Sequence, residues 1–359
     1  MASAAAAAPA VPRLSTDPAL HRPATGHLDV LDDWRALAMF LIVVYHLLFL
    51  VFRQLPHVYG GVGALADSGT ALFALLAGFL CQYQSTNFRF LPFLRKKALT
   101  ILCPYAIATV LLELMQCIRG GNYQLLSFVR EVLVSLLAGR GGVHLWFVPM
   151  LMIFFLLTPL TLWLMRQRWH HVVIALFFVL SLVIGRAGYL QVLHNTLYFL
   201  PFYLLGMAGA LDHERWLLWL RRRQLVLASL SVVLFFVACV LPDEAHIQTL
   251  CRLVFSLAYI GTLARNAATA TAGIGKSMRE LLLRISPTSF GIYLYHNSFI
   301  GVIVAPIFRR YVTVLSEPLI LVSLLVAAVL TTLLMTAGVV AVQLGLKKLG
   351  VKNTRWIIA

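Results

Sequence analysis

Ten apolar runs follow one another along this chain, and no arrangement of water-soluble layers could hide them all. They cover roughly 34–52, 66–83, 99–118, 143–165, 172–188, 193–211, 224–241, 247–263, 286–307 and 318–346. A helix crossing the hydrocarbon needs about 20 mostly apolar residues, so ten such helices use up most of the 359 residues. With 61% hydrophobic and 12% charged residues, the chain lacks the polar surface of a soluble domain of this size. The pattern predicts an all-α, polytopic integral membrane helix bundle with about ten transmembrane helices. The eighth run is the least apolar, because it holds Arg252. Between the third and fourth runs, 127–137 is amphipathic and too short to cross; it reads as an interfacial helix on the outer surface.

Charge gives the orientation. A net charge of +16 would suit a nucleic-acid binder. In a multi-span chain, however, Lys and Arg collect in the cytoplasmic loops. With the N-terminus inside, only Arg53, Arg119, Arg130, Arg140, Arg186, Arg252, Arg309 and Arg310 of the 29 basic residues fall on the outer side. Both termini are therefore expected in the cytoplasm, and nucleic acid is not an expected partner. Residues 1–28, Ala- and Pro-rich and without a basic leader, read as a disordered cytoplasmic tail. Residues 29–347 form the membrane domain and 348–359 a short basic tail, with no soluble catalytic domain after the tenth run. The five cysteines lie in or beside apolar runs without metal or disulfide spacing, so no metal site is expected.

The first run opens LDDWRALAMFLIVVYH. Asp32 or Asp33 is placed to cap the helix, with Arg35 in its first turn. The helical rise carries His46 about 16 Å deeper, near the bilayer midplane. SPTSFGIYLYHNSF, 286–299, starts the ninth run with a Ser cap and Pro287, so His296 lies about 15 Å into a helix entered from the same side. Ionisable groups at that depth are costly and usually face a cavity or pathway, although a structural hydrogen-bond pair would explain the same histidines. Tyr293 lies beside the second one. Glu113 is a carboxylate well inside the third run, placed either to orient His46 or to pair with Arg252. FLRKKALTILCPY brings Arg95, Lys96 and Lys97 to the cytoplasmic rim with Arg35, a cluster suited to the phosphates of a nucleotide-bearing donor. On the outer side, GRGGVHLWF holds His144 and Trp146 where a sugar ring could stack on an indole. Gly206 and Gly209 suit close helix packing. Nucleotide-binding, serine-hydrolase and zinc-protease motifs are all missing from the sequence.

Taken in order, LDDWRALAMFLIVVYH, GTALFALLAGFL, the basic stretch ending in CPY, HLWFVPMLMIFFLLTPL, LYFLPFYLLGMAGA and SPTSFGIYLYH resemble the landmarks of the membrane acyltransferase-3 family. The likeness runs from about residue 29 to the tenth run. It implies ten spans, acyl-CoA (acetyl-CoA in the commonest case) as a cytoplasmic co-substrate rather than a bound cofactor, and O-acylation of a carbohydrate on the far side of a bacterial inner membrane. By the same resemblance Arg35 and His46 form the essential pair, His296 is the ninth-span histidine and Trp146 the fourth-span tryptophan. Two places depart from the family pattern: Ala77-Gly78-Phe79 stands for Ser-Gly-Phe, and Lys97-Ala98-Leu99-Thr100 for Arg-x-x-Arg, leaving Arg95 and Lys96 to substitute.

The expected site is then His46, Glu113 and His296 for chemistry; Arg35, Arg95, Lys96 and Lys97 for the donor; and Trp146, His144, Tyr293 and Arg252 for the acceptor. His46 would be a general base or carry the acyl group itself. Acyl-CoA, the carbohydrate acceptor and membrane lipid are the expected partners, with a second copy or glycan-assembly proteins as further candidates. The rival reading is a transporter or flippase for a glycan or lipid-linked sugar, against which stands the lack of repeat symmetry.

Overall fold

The computed structural model describes residues 29–51, 59–121, 124–188, 191–269, 273–312 and 315–358. Every regular element in them is helical. The expected tail at 1–28 lies outside the described residues. In chain order the α-helices are α1 (Asp29–Leu50), α2 (Tyr59–Tyr83), α3 (Phe90–Lys97), α4 (Cys103–Gly120), α5 (Leu125–Ala138), α6 (Phe147–Leu156), α7 (Thr158–Met165), α8 (His170–Ile184) and α9 (Val192–Leu211). They continue with α10 (His213–Arg222), α11 (Gln224–Val240), α12 (Ala245–Thr269), α13 (Gly273–Ile285), α14 (Ser289–Phe299), α15 (Ala305–Val312), α16 (Glu317–Lys348) and α17 (Arg355–Ile358).

By length and apolarity, 6 helices among the described residues can cross a membrane, or up to 8 if each of two bent pairs is one crossing. The bent pairs are α6–α7, at 61°, and α10–α11, at 63°. Pro159 in the first turn of α7 supplies no backbone N–H to the turn before it, which accounts for the first break. In α10 the charged run ends at Arg223, and the apolar run begins on a new axis. The other two apolar runs of the sequence fall on α8, only 15 residues long, and on α9, whose His194, Asn195 and Thr196 dilute its first turn.

α2 lies at the centre, packed most extensively on α9 and then on α1 and α12. Glycine makes the α2–α9 crossing possible: a Cβ at Gly78 would collide with the Tyr203 carbonyl oxygen, and one at Gly206 with that of Leu75. The surface of α8, α11 and α16 carries exposed Leu176, Val183, Phe236, Leu330 and Leu334, a sheath that only lipid would solvate well. The segment expected at the interface is α5, tied to α4 by Tyr105, whose hydroxyl donates to the Ser135 and Leu136 carbonyls.

Two expected helix starts are corrected. α1 begins at Asp29, so Asp32 and Asp33 are inside it and hold other helices instead of capping their own. Asp32 accepts from Arg35 (3.0 Å) and from Ser286 Oγ (2.7 Å), and Asp33 pairs with Arg279 at 3.2 Å. Ser286 does not start a helix either: 286–288 is a 3-10 turn joining α13 to α14.

Candidate active site between α1 and α14

The cross-links from α1 to α14 and to the 286–288 turn before it set the site's geometry. At one level Arg35 Nη1 donates to Ser286 Oγ at 3.3 Å. Eleven residues further along α1 and ten further on the other strand of this pair, His46 Nδ1 and His296 Nε2 are 3.3 Å apart. Equal advance between the two contacts requires the segments to run side by side in the same direction. The depths inferred for the two histidines thus bring them into contact.

Backbone carbonyls decide where their protons sit. His296 Nδ1 is 2.8 Å from the Tyr293 carbonyl oxygen, so it carries hydrogen and leaves Nε2 with the lone pair. His46 Nδ1 is 2.9 Å from the Ile42 oxygen and also faces that lone pair, so it too carries hydrogen. The free lone pair of His46 is therefore on Nε2, for which the described residues offer no hydrogen-bond donor. His296 is fully buried, whereas His46 is half-buried and lines a cavity.

His144 completes a triangle, its ring 4.8 Å from His296 and 6.1 Å from His46, centre to centre. Its Nε2 donates to the Leu294 carbonyl at 3.1 Å, leaving Nδ1 buried without a partner among the described residues. Tyr293 donates from its hydroxyl to the His144 carbonyl, fixing the loop before α6 to α14. Three imidazoles this close suggest a metal site. With one nitrogen of each given to a backbone carbonyl, no group of three or more His, Cys, Asp or Glu among the described residues is arranged to hold one.

The cavity at His46, about 380 Å³, is also lined by Tyr45, Asp67, His144, Trp146, Arg186 and Arg252. A second cavity of about 460 Å³ lies toward the start of α1, with Arg35, Lys96, Lys97 and Arg355 among apolar Phe73, Leu76, Leu151 and Phe155. Phe147 and Tyr293 line both. The two chambers are therefore neighbours that share Phe147 and Tyr293 as a common wall.

Several expected roles change in this setting. Arg252 does not pair with Glu113; its Nε and Nη2 bond Asp67, and its Nη1 donates to the Tyr198 hydroxyl at 2.7 Å. Glu113 accepts instead from Ser135 Oγ at 2.6 Å, which ties α4 to α5, and has no hydrogen bond to His46 among the described residues. Trp146 lines the chamber but is no open platform, with 3% exposure, the Arg186 guanidinium 5.2 Å over its ring and Phe199 tilted against it at 5.8 Å. Arg95 is exposed and does not line the second chamber, whereas Lys96 and Lys97 do. Asp67, Arg186 and Arg355 are site residues that spacing alone did not reveal. Asp67 left a usable signal, as an acid in the first turn of the second apolar run.

A model of the family described as an acyltransferase domain matches residues 29–337. The chain belongs to the acyltransferase-3 family. Neither a curated protein nor a solved structure matches it. This acyltransferase is a multi-pass membrane protein, and the matched stretch contains both chambers except Arg355, which α17 brings back from beyond it.

Proposed function

We propose that the protein moves an acyl group, acetyl in the simplest case, from cytoplasmic acyl-CoA to a hydroxyl of a glycan beyond a bacterial inner membrane. In this reading the chain crosses ten times and both ends are cytoplasmic. One observation carries it: a histidine with a free Nε2 lone pair stands in a chamber that adjoins a second, strongly cationic one.

Arg35, Lys96, Lys97 and Arg355 would take the phosphates of the donor. Phe73, Leu76, Leu151 and Phe155 suit the thin pantetheine arm. From Arg35 to His46 is about 16 Å by helical rise, comparable to that arm. The thioester would pass Phe147 and Tyr293 to reach the histidine. There His46 Nε2 takes the proton of the acceptor hydroxyl while its oxygen attacks the thioester carbonyl. The C–S bond breaks, and the departing thiolate recovers the proton from Nε2. The transient positive charge on the ring is met at Nδ1–H by the Ile42 carbonyl and the His296 lone pair. Attack by Nε2 itself uses the same lone pair: it expels the thiolate and gives an N-acyl-imidazolium. The acceptor oxygen then takes the acyl group, returning the bond electrons to Nε2, while the hydroxyl proton passes to the thiolate.

The test is incubation of the purified full-length protein in detergent with acetyl-CoA and cell-derived oligosaccharides, measuring free thiol and acylated sugar. Thiol release matched by sugar acylation is the expected result. Glycan movement across vesicles without loss of thioester would replace the proposal with a carrier.

A further inference from the structure

Two guanidiniums and one carboxylate meet at the His46 chamber, and the pairing among them is unequal. Asp67 is 4% exposed and accepts from both Arg186 and Arg252. Arg252, 6% exposed, uses Nε, Nη1 and Nη2 on Asp67 and Tyr198. Arg186 gives only Nη1 to Asp67; its Nε and Nη2 have no partner among the described residues, and it lines the cavity. The chamber is thus left with one positive charge in excess and one guanidinium edge unoccupied.

That edge is held in place. The Arg186 guanidinium lies 5.2 Å over the Trp146 ring and 6.0 Å over that of Tyr45, so aromatic faces fix its plane. The loop carrying it is fastened to α9: His194 Nε2 donates to the Gly185 carbonyl, Asn195 Nδ2 to that of Gly188, and the Ala187 N–H to Asn195 Oδ1. Gly185 turns the chain there at φ 62°, a left-handed conformation that glycine adopts without strain. A half-buried surplus cation is costly unless an anion meets it, and a planar guanidinium whose adjacent Nε and Nη2 have no partner among the described residues suits a carboxylate.

We infer that the His46 chamber receives a substrate bearing a carboxylate, and that Arg186 is the residue that selects it. This rests on the acyl-transfer reading. The carboxylate has two possible sources, an acidic sugar of the acceptor or the far end of a dicarboxylic acyl group whose thioester sits at His46. A neutral acceptor receiving a neutral acyl group would leave the Arg186 edge unmet.

Two matched pairs of probes test it on the purified full chain in detergent. Equilibrium binding compares methyl glucuronide with methyl glucoside, and thioester turnover compares succinyl-CoA with acetyl-CoA. Preference of about tenfold or more for the charged member is expected in one pair, as one charge-assisted hydrogen-bond pair gives. Preference in the first pair identifies the acceptor as the source, and in the second the acyl group. Arg186→Gln, which can still donate to Asp67, should collapse the ratio, while Arg186→Lys should retain part of it. If the wild type prefers the charged member in neither pair, or if the preference survives Arg186→Gln, the inference is overturned. Loss of turnover with both thioesters would instead sink the acyl-transfer reading, and the binding pair alone would then decide on Arg186.

Discussion

The two chambers hold similar charge in different ways, apart from Lys97, which lies 4.7 Å over the Phe155 ring at the Arg35 end. At the Arg35 end, Lys96 and Arg355 are exposed, and the only carboxylate salt-bridged to a lining cation among the described residues is Asp32, on Arg35. At the His46 end, both arginines converge on one buried carboxylate and are pressed against aromatic rings. Long exposed cations adapt to a ligand at an entropic cost on binding, while locked ones recognise a fixed shape. The contrast fits a donor handle gripped by charge at one end and chemistry that demands position at the other.

Changes at the locked end should have the largest effects. His46→Ala is expected to lower thioester turnover by about 100-fold or more, the range of a lost general base, in protein that still elutes as a folded species. Asp67→Asn should cost about 3–5 kcal/mol of stability, the penalty for stranding buried partners, read as a drop in thermal unfolding temperature in detergent. If Asp67→Asn unfolds no earlier than wild type, the two arginines are not locked and the contrast fails. At the adaptable end, Arg35→Ala should raise the acetyl-CoA KM by about tenfold, as for one charged hydrogen bond, with little change in kcat. Arg355→Ala, more exposed, should raise it by less. Glu113→Gln serves as an internal reference. Its carboxylate holds only Ser135 in the described contacts, so about 1 kcal/mol of stability should go, with turnover in the surviving protein near that of wild type. A large loss of turnover there would return Glu113 to the chemistry.

Depth along a helix was legible in the sequence; lateral neighbours were not. Helical rise gave His46 and His296 comparable depths, and the structure brings the rings together. The same arithmetic left the partners of Glu113 and Arg252 open, because rotation about a helix axis and the order of helices decide which side chains meet. Asp67 took Arg252 since α2 lies between α1, α9 and α12, a packing set by close contacts at Gly78 and Gly206; the sequence marks Gly206 as a close-packing position but not the helix it meets. Arg355 lies in what the sequence shows only as a short basic tail, and it joins the second chamber because a short helix folds back against α4. Asp32 and Asp33 looked like caps because they precede an apolar run, yet the helix extends past them to Asp29.

Joined at Arg35–Ser286, at His46–His296, and again where Arg309 reaches the Leu50 carbonyl at 2.9 Å, α1 and the segment beside it form a riveted strut. A strut fastened at three heights resists shear, so any widening between the two chambers falls to the parts that are not riveted. Phe147, at the head of the short α6, is one of these, buried among the rings of Phe73, Trp146 and Tyr293. Under the acyl-transfer proposal, opening between the two chambers means shifting that ring cluster and a half-helix together, while the His46 imidazole stays where α1 holds it.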